Sequence, residues 1–228
     1  APTGYTINTQ VGKFEITSNG QIVNETIKDK KIEGTVVITK ENEAGTPLAG
    51  AKIEIINSAN KVVYTGVTNS KGEITDANLP YGTYTYREIA APTGYTINTQ
   101  VGKFEITSNG QIVNETIKDK KIEGTVVITK ENEAGTPLAG AKIEIINSAN
   151  KVVYTGVTNS KGEITDANLP YGTYTYREIA APTGYTINTQ VGKFEITSNG
   201  QIVNETIKDK KIEGTVVITK ENEAGTPL

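Results

Sequence analysis

The feature that most constrains the fold of this chain is an exact internal repeat. The string APTGYTINTQ opens at Ala1, at Ala91 and at Ala181, and residues 91–228 reproduce residues 1–138 without a difference. Repeats of solenoid type, on the order of 20 to 50 residues, must stack on their neighbours to bury a core. A period of 90 residues instead matches one small β-sandwich domain. The repeat therefore predicts tandem domains that fold separately.

Short alternating runs of Thr, Val, Ile and Tyr, separated by turn residues, fill each repeat. The expected strands of one repeat are Ile32–Glu41, Ala51–Asn57, Lys61–Val67, Glu73–Thr75, Gly82–Ile89, Tyr95–Thr107 and Gln111–Asp119. Asn109-Gly110, between the last two of these strands, predicts a tight hairpin, and no stretch keeps a helical period. The pattern predicts an all-β fold of tandem immunoglobulin-like antiparallel β-sandwich domains in an elongated array.

The predicted folding unit is out of register with the ends of the chain. One complete domain runs from residue 31 to 120, and a second runs from residue 121 to 210. Residues 1–30 then correspond to the C-terminal part of a preceding repeat, and residues 211–228 to the first strand of a following one. Because both lack the middle of the repeat, we expect that they cannot rebuild a domain between them, as if the chain were cut from a longer array.

Composition excludes several classes of function. The chain has no histidine and no cysteine, so the common zinc sites and Ser-His or Cys-His catalysis are excluded. Its net charge of −3 is made of interspersed acids and bases, and no apolar run approaches the length of a membrane helix. We therefore expect no cofactor, no metal, and neither nucleic acid nor membrane as a partner. Without disulfides, a domain of this size that works outside a cell would benefit from another crosslink.

Three polar residues, Lys40, Glu88 and Asp119, lie on predicted strand faces that otherwise point inward. Their apolar neighbours two positions earlier on those faces are Ile38, Tyr86 and Ile117. Glu115, on the same face as Asp119, interrupts the last of these rows. Spacing alone favours the simpler interpretation that the three are strand-end charges whose side chains extend to water. Alternation cannot show that the three side chains meet.

Three segments resemble the CnaB-type, or SpaA-type, domain of Gram-positive surface proteins. They are GTVVITKENEAGTPLAGAKIEI (34–55), TNSKGEITDANLPYGTYTYREIAAPTGY (68–95) and IVNETIKDKK (112–121). The resemblance covers the whole repeat in order and implies a transthyretin-like sandwich. In that family a lysine near the end of the first strand forms an isopeptide bond with an Asn or Asp in the last strand. A glutamate from the strand before the APTGY turn assists.

The resemblance assigns these three roles to each complete repeat. In the order lysine, catalytic glutamate and acceptor, the residues are Lys40, Glu88 and Asp119, and then Lys130, Glu178 and Asp209. Asp29 and Lys220 match the acceptor and the lysine but have no partner in this chain. Asn114 is the other candidate acceptor, but it lies on the opposite face of the strand from Val113 and Ile117, so we expect Asp119. An aspartate acceptor would release water rather than ammonia.

The resemblance also implies how such a bond would form. An apolar site disfavours charge, so the lysine amine would be neutral and nucleophilic and the aspartate carboxyl protonated. The glutamate, also protonated, would polarise the aspartate carbonyl and transfer protons. Because each domain would react once, the chain would modify itself and would not be an enzyme with turnover.

The function implied is that of structural stalk or shaft repeats in a bacterial cell-surface fibre or adhesin. The location would be extracellular, either anchored to the cell wall or within a fibre, and the isopeptide bonds would carry tensile load. Expected partners are neighbouring repeats, other copies of the chain in a filament, and a host ligand bound through other regions. Three alternatives stay open: repeats that bind a host or matrix ligand themselves, repeats that assemble into a larger filament, and an engineered concatemer.

Overall fold

The computed structural model describes all 228 residues, which form two compact units, Ala1–Lys121 and Ile122–Leu228. The strands of the first unit are β1 (Tyr5–Thr6), β2 (Lys30–Lys31), β3 (Glu33–Asn42), β4 (Lys52–Asn57), β5 (Val62–Val67), β6 (Glu73–Pro80), β7 (Gly82–Ala90), β8 (Tyr95–Thr96), β9 (Val101–Ile106) and β10 (Ile112–Lys121). Those of the second unit are β11 (Glu123–Asn132), β12 (Lys142–Asn147), β13 (Val152–Val157), β14 (Glu163–Pro170), β15 (Gly172–Ala180), β16 (Tyr185–Thr186), β17 (Val191–Ile196) and β18 (Ile202–Lys211). The expected all-β class is confirmed, and no helix of the length and hydropathy needed to cross a bilayer is present.

Each unit contains a sandwich of two four-stranded sheets around one core. The strand orders are β6-β3-β10-β8 and β5-β4-β7-β9 in the first unit, and β14-β11-β18-β16 and β13-β12-β15-β17 in the second. Alternate residues of the strands point between the sheets, as the pleat requires. The buried core of the first unit consists of Val36, Ile38, Ile53, Ile55, Ile74, Leu79, Tyr84, Tyr86, Phe104, Ile106 and Ile117.

The first and last long strands of each sandwich are neighbours and run parallel. In the first unit β10 pairs with β3 from Ile112 opposite Thr35 to Asp119 opposite Asn42, and β18 pairs with β11 in the same way. The other pairings are antiparallel, as the sequence predicted. Because the pair is parallel, the chain enters it at one end of β3 and leaves it at the opposite end of β10.

One strand expected from the sequence is wrong in its extent. The predicted strand Tyr95–Thr107 is two strands, β8 and β9, separated by the loop of residues 97–100. β8 pairs with β10 in one sheet, whereas β9 pairs with β7 in the other sheet. The chain must therefore cross between the sheets within this loop, which alternation of residue types does not reveal.

Two further local predictions are corrected by the way the strands pair. The Asn109-Gly110 turn does not form a hairpin, because the strands on either side of it, β9 and β10, belong to different sheets. The short strand predicted at Glu73–Thr75 continues to Pro80, because it pairs along β3 as far as Glu33. Turn chemistry thus located the reversals of the chain but not the partners of each strand.

The terminal segments show how much the strands depend on their partners. Residues 1–31 have the same sequence as residues 91–121, yet only Tyr5–Thr6 and Lys30–Lys31 form a ladder there. After Lys211, the only pairing is an isolated bridge between Glu221 and Pro227. The strands that pair with the equivalent segments in a complete sandwich are missing, so the backbone groups have no ladder to join.

Candidate functional site

The three polar residues singled out by the sequence come together between the two sheets. Lys40 lies on β3 opposite Ile117, and Asp119 lies on β10 opposite Asn42, so the two are diagonal neighbours on one inward face. Glu88 lies on β7 of the facing sheet, next to a bulge in its pairing with β4. Such irregularities re-aim side chains.

The contacts among the three side chains are direct. Lys40 Nζ donates a hydrogen bond to Glu88 Oε2 at 3.0 Å and another to Asp119 Oδ1. In the second unit Lys130 Nζ donates to Glu178 Oε2 at 2.9 Å and to Asp209 Oδ1. The side chains of all six residues are 0% exposed. The structure therefore brings together both predicted trios, which we call the buried trios.

The electrostatics of each trio favour a proton on a carboxyl group. Two carboxylates and one ammonium would leave a net negative charge without water around it. Glu88 Oε1 and Asp119 Oδ2 are both buried and have no hydrogen-bond partner. Burial raises the pKa of Glu88, and the hydrogen bonds from Asn98 and Lys40 oppose this only in part. Glu88 is thus suited to be neutral and to donate a proton.

The backbone of Lys40 is held on both sides. Its N–H donates to the Gly72 carbonyl at 2.6 Å, and its own carbonyl accepts from the N–H of Leu48 at 2.8 Å. Gly72 has a φ of +74°, and a Cβ there would lie 2.4 Å from the Lys40 carbonyl oxygen. Glycine therefore serves both the left-handed turn and this close approach. The sequence located the turn but not its contact with Lys40.

A second polar pair, which the sequence did not reveal, lies beside the trio and crosses between the sheets. The Tyr86 hydroxyl donates to Glu115 Oε2 at 2.7 Å, so Glu115, which interrupts the predicted inward face, has a partner. The ring of Tyr86 passes over Gly102, where a Cβ would lie 2.0 Å from the ring. Burial, together with the hydrogen bond to Glu115, raises the pKa of Tyr86. Tyr86 lies two positions before Glu88, and Glu115 lies four positions before Asp119, so each pair shares one face of its strand. This spacing was the sequence signal for a second polar contact beside the trio.

The loop of residues 97–100 contributes a contact that the sequence also did not reveal. The backbone N–H of Asn98 donates to Glu88 Oε2 at 2.7 Å. The side-chain amide of Asn98 donates to the Lys118 carbonyl at 2.8 Å, next to Asp119 in the chain. Asn98 thus connects the catalytic candidate to the strand of the acceptor candidate.

The remaining candidates lie outside the trios. Asp29 accepts a hydrogen bond from the N–H of Asn8 at 3.1 Å, whereas Lys220 is exposed and its equivalents Lys40 and Lys130 are buried. Asn114 is exposed on the outward face of β10. No group of three or more Asp and Glu residues is arranged to hold a metal ion.

Comparison with known proteins identifies relatives of this sandwich. The family model described as SpaA, prealbumin-like fold domain, matches residues 34–121 and 124–211. The chain is 25% identical over 214 residues to the trypsin-resistant surface T6 protein of Streptococcus pyogenes serotype M6, covering 92% of this chain and 37% of that protein.

Solved structures give the same result for the fold. The Bacillus anthracis TIE protein is 41% identical with a TM-score of 0.86, and the match covers 92% of this chain and 40% of that one. The C-terminal fragment of the pilus adhesin SpaC from Lactobacillus rhamnosus GG has the same fold at 16% identity and a TM-score of 0.58, with coverage of 81% and 100%. The chain spans well under half the length of the T6 and TIE proteins.

Proposed function

Because the chain belongs to the SpaA family of prealbumin-like fold domains, we propose that each complete repeat forms an intramolecular isopeptide bond. The bond joins Lys40 to Asp119 in the domain of residues 31–120, and Lys130 to Asp209 in the domain of residues 121–210. The repeats then act as tension-carrying spacers of a bacterial surface fibre or adhesin. The observation that supports this most is the pair of buried trios, each with lysine, aspartate and glutamate in hydrogen-bond contact.

The reaction is a condensation that needs no other reactant. In the first step a proton moves from the Lys40 ammonium to the contacting Asp119 carboxylate, which leaves a neutral amine and a neutral carboxyl. The neutral Nζ attacks the Asp119 carboxyl carbon, while Glu88 donates its proton to the carboxyl oxygen. The N–C bond forms, the C–O bond breaks, and water leaves. Glu88 recovers a proton from the nitrogen and ends unchanged.

Geometry supplies what an activating cofactor would otherwise supply. The amine is held in hydrogen-bond contact with the carboxyl it attacks, so a bimolecular reaction becomes an intramolecular one. The acid of the trio comes from the opposite sheet, so the trio exists only when the sandwich is closed. Bond formation is therefore limited to folded domains and happens once in each.

The position of the bond suits a function under tension. Lys40 and Asp119 are 79 positions apart, and without a bond that loop could extend on the order of 250 Å under force. With the bond, force entering β3 passes from Lys40 to Asp119 and leaves through the last residues of β10. Because the two strands run parallel, β3 is loaded from its start to Lys40 and β10 only beyond Asp119, so the loop between the two bonded residues carries no tension.

The proposed location is the cell surface. The similarity to the surface T6 protein supports this location. Neighbouring repeats, and other copies of the chain in a filament, are the proposed partners, and a host ligand would bind through other regions. The trio is consumed by its own reaction, so we propose no activity on external substrates.

An intact mass of the denatured chain tests the proposal. Each bond removes one water, about 18 Da, so we expect a deficit of two waters. The chain with both Glu88→Ala and Glu178→Ala should keep its full mass, whereas Glu54→Ala, which changes a surface partner of Arg87, should still lose both waters. A wild-type mass equal to that of the sequence would refute the crosslink.

A further inference from the structure

Asn98 makes three hydrogen bonds at the edge of the first trio. Its N–H donates to Glu88 Oε2 at 2.7 Å, its side-chain nitrogen donates to the Lys118 carbonyl at 2.8 Å, and its side-chain oxygen accepts from the N–H of Gln100 at 2.8 Å. The last of these bonds shapes the loop itself. The other two join the loop to Glu88 and to the strand that carries Asp119.

The other two copies of this loop show which hydrogen bonds of Asn98 are local to the loop and which depend on the trio. Asn188 repeats all three bonds in the second unit. Asn8 keeps both side-chain bonds, at 3.0 Å and 2.8 Å, although no equivalent of Glu88 stands beside it. Its N–H instead donates to Asp29 Oδ1 at 3.1 Å. The side-chain anchor is therefore a property of the loop, and the N–H it presents binds whichever carboxyl is in reach.

In the complete domain this N–H bears on which oxygen of Glu88 can hold a proton. Glu88 Oε2 accepts hydrogen bonds from both Lys40 Nζ and Asn98 N. A proton on the same oxygen would meet those two donors, so Oε2 is the unfavourable position. Glu88 Oε1 has no partner, and Asp119 Oδ2 has none either. The proton of neutral Glu88 therefore belongs on Oε1, the oxygen that no donor occupies.

We propose that Asn98 and Asn188 are positioning residues for isopeptide formation, which anchor their loop to the acceptor strand and thereby keep the proton of the catalytic glutamate on Oε1. This inference rests on the proposed isopeptide function. The anchor is the carbonyl of Lys118, the residue before Asp119, so the loop and the acceptor move together. The charged groups that face Glu88 are Lys40 from β3 and Asp119 from β10.

The test compares rates of bond formation in newly made chains. Chains are synthesised in a cell-free reaction with a short pulse of isotope-labelled amino acids. Samples are quenched in denaturant at set times, and their intact masses are measured by mass spectrometry. Asn98→Ala is introduced in the first repeat only, so the second repeat is a control within the same molecule. One water should be lost at the wild-type rate and the second on the order of tenfold to a hundredfold more slowly. Gln100→Ala, on the same loop, should leave both rates unchanged.

Two measurements separate positioning from a loss of folding. Asn98→Ala is added to a chain with Lys40→Met, which cannot react, and its urea midpoint should stay close to that of Lys40→Met alone. Without its side-chain anchor the loop should withdraw the Asn98 N–H, which lowers the pKa of Glu88, so the variant should keep Glu88 protonated to higher pH. The alkaline decline of its rate should therefore move to higher pH. A slower rate with an unmoved pH profile, or with a lost fold, would show a purely structural role and overturn the proposal.

The outcomes distinguish this proposal from the function on which it rests. If the wild-type chain never loses water, the isopeptide function itself is wrong. If the wild type loses two waters and Asn98→Ala loses them equally fast, only the positioning role is wrong. A slow first repeat with an upward shift of the pH profile supports both.

Discussion

Removing the acid of one trio while keeping its shape should split the thermal unfolding of the chain into two transitions. Glu88→Gln in the first repeat keeps a group that can accept the hydrogen bonds from Lys40 and Asn98. It removes the proton that the reaction needs, so the first domain should stay uncrosslinked while the second, with Glu178, reacts. The two domains otherwise have the same sequence, so they differ only in this substitution and in the bond.

The size of the effect follows from the length of the closed loop. Lys40 and Asp119 are 79 positions apart, and closing a loop of that length stabilises a domain by about 4.5 kcal/mol through the entropy of the unfolded chain. For a domain of this size, each kcal/mol shifts the melting temperature by roughly 4–8 °C. The uncrosslinked domain should therefore melt roughly 20–35 °C below its crosslinked neighbour.

Scanning calorimetry on the purified chain, with an intact mass on the same sample, makes the measurement. The wild type should show one transition and a deficit of two waters, and Glu88→Gln should show two transitions and a deficit of one. Glu54→Gln, a surface change, should behave as the wild type. A variant that lacks one water but still melts in a single transition would show that the loop-entropy argument is wrong. A variant that still lacks two waters would show that Glu88 is not required.

Three further predictions test the trio and its surroundings. Gly72→Ala should lower the free energy of unfolding by more than Gly110→Ala does. The change at Gly110 costs about 1–2 kcal/mol, for its left-handed φ alone, because nothing lies within 4 Å of a Cβ there. A Cβ at Gly72 also meets the Lys40 carbonyl. Equal losses in urea titrations would count against the contact. Asp119→Asn should still react but release ammonia, so mass spectrometry should find about 17 Da lost for that bond; a deficit of 18 Da there, or none, would contradict it. Lys40→Met should make the domain less stable at pH 8 than at pH 5. Burial raises the folded-state pKa of Glu88 above 4.5. A group with a raised folded-state pKa contributes its full stability at low pH and loses it as the pH rises through that pKa. The urea midpoints at the two pH values measure this, and the same difference in Lys40→Met with Glu88→Gln would exclude Glu88 as its source.

Much of the site could be predicted because strand alternation is a local property. The period of two places Lys40 on the face of Ile38, and Glu88 on the face of Tyr86, and the structure has all of them buried. Resemblance to a family then turned three separate positions into one site. The contacts of Asn98, Gly72 and Glu115 could not be predicted in this way, because each joins segments far apart in the chain.

What the sequence by itself determined is the repeat, the all-β class, and the side of each strand on which the trio residues lie. Only the tertiary structure decided which strands pair, that β3 and β10 run parallel, and that the chain crosses between sheets at residues 97–100. The identical segments 1–30 and 91–120 make the reason plain, since only the second forms its full strands. A strand exists where a partner strand accepts its backbone hydrogen bonds. For the same reason Lys40 is buried against Asp119 while Lys220, in the same local sequence, is exposed to water.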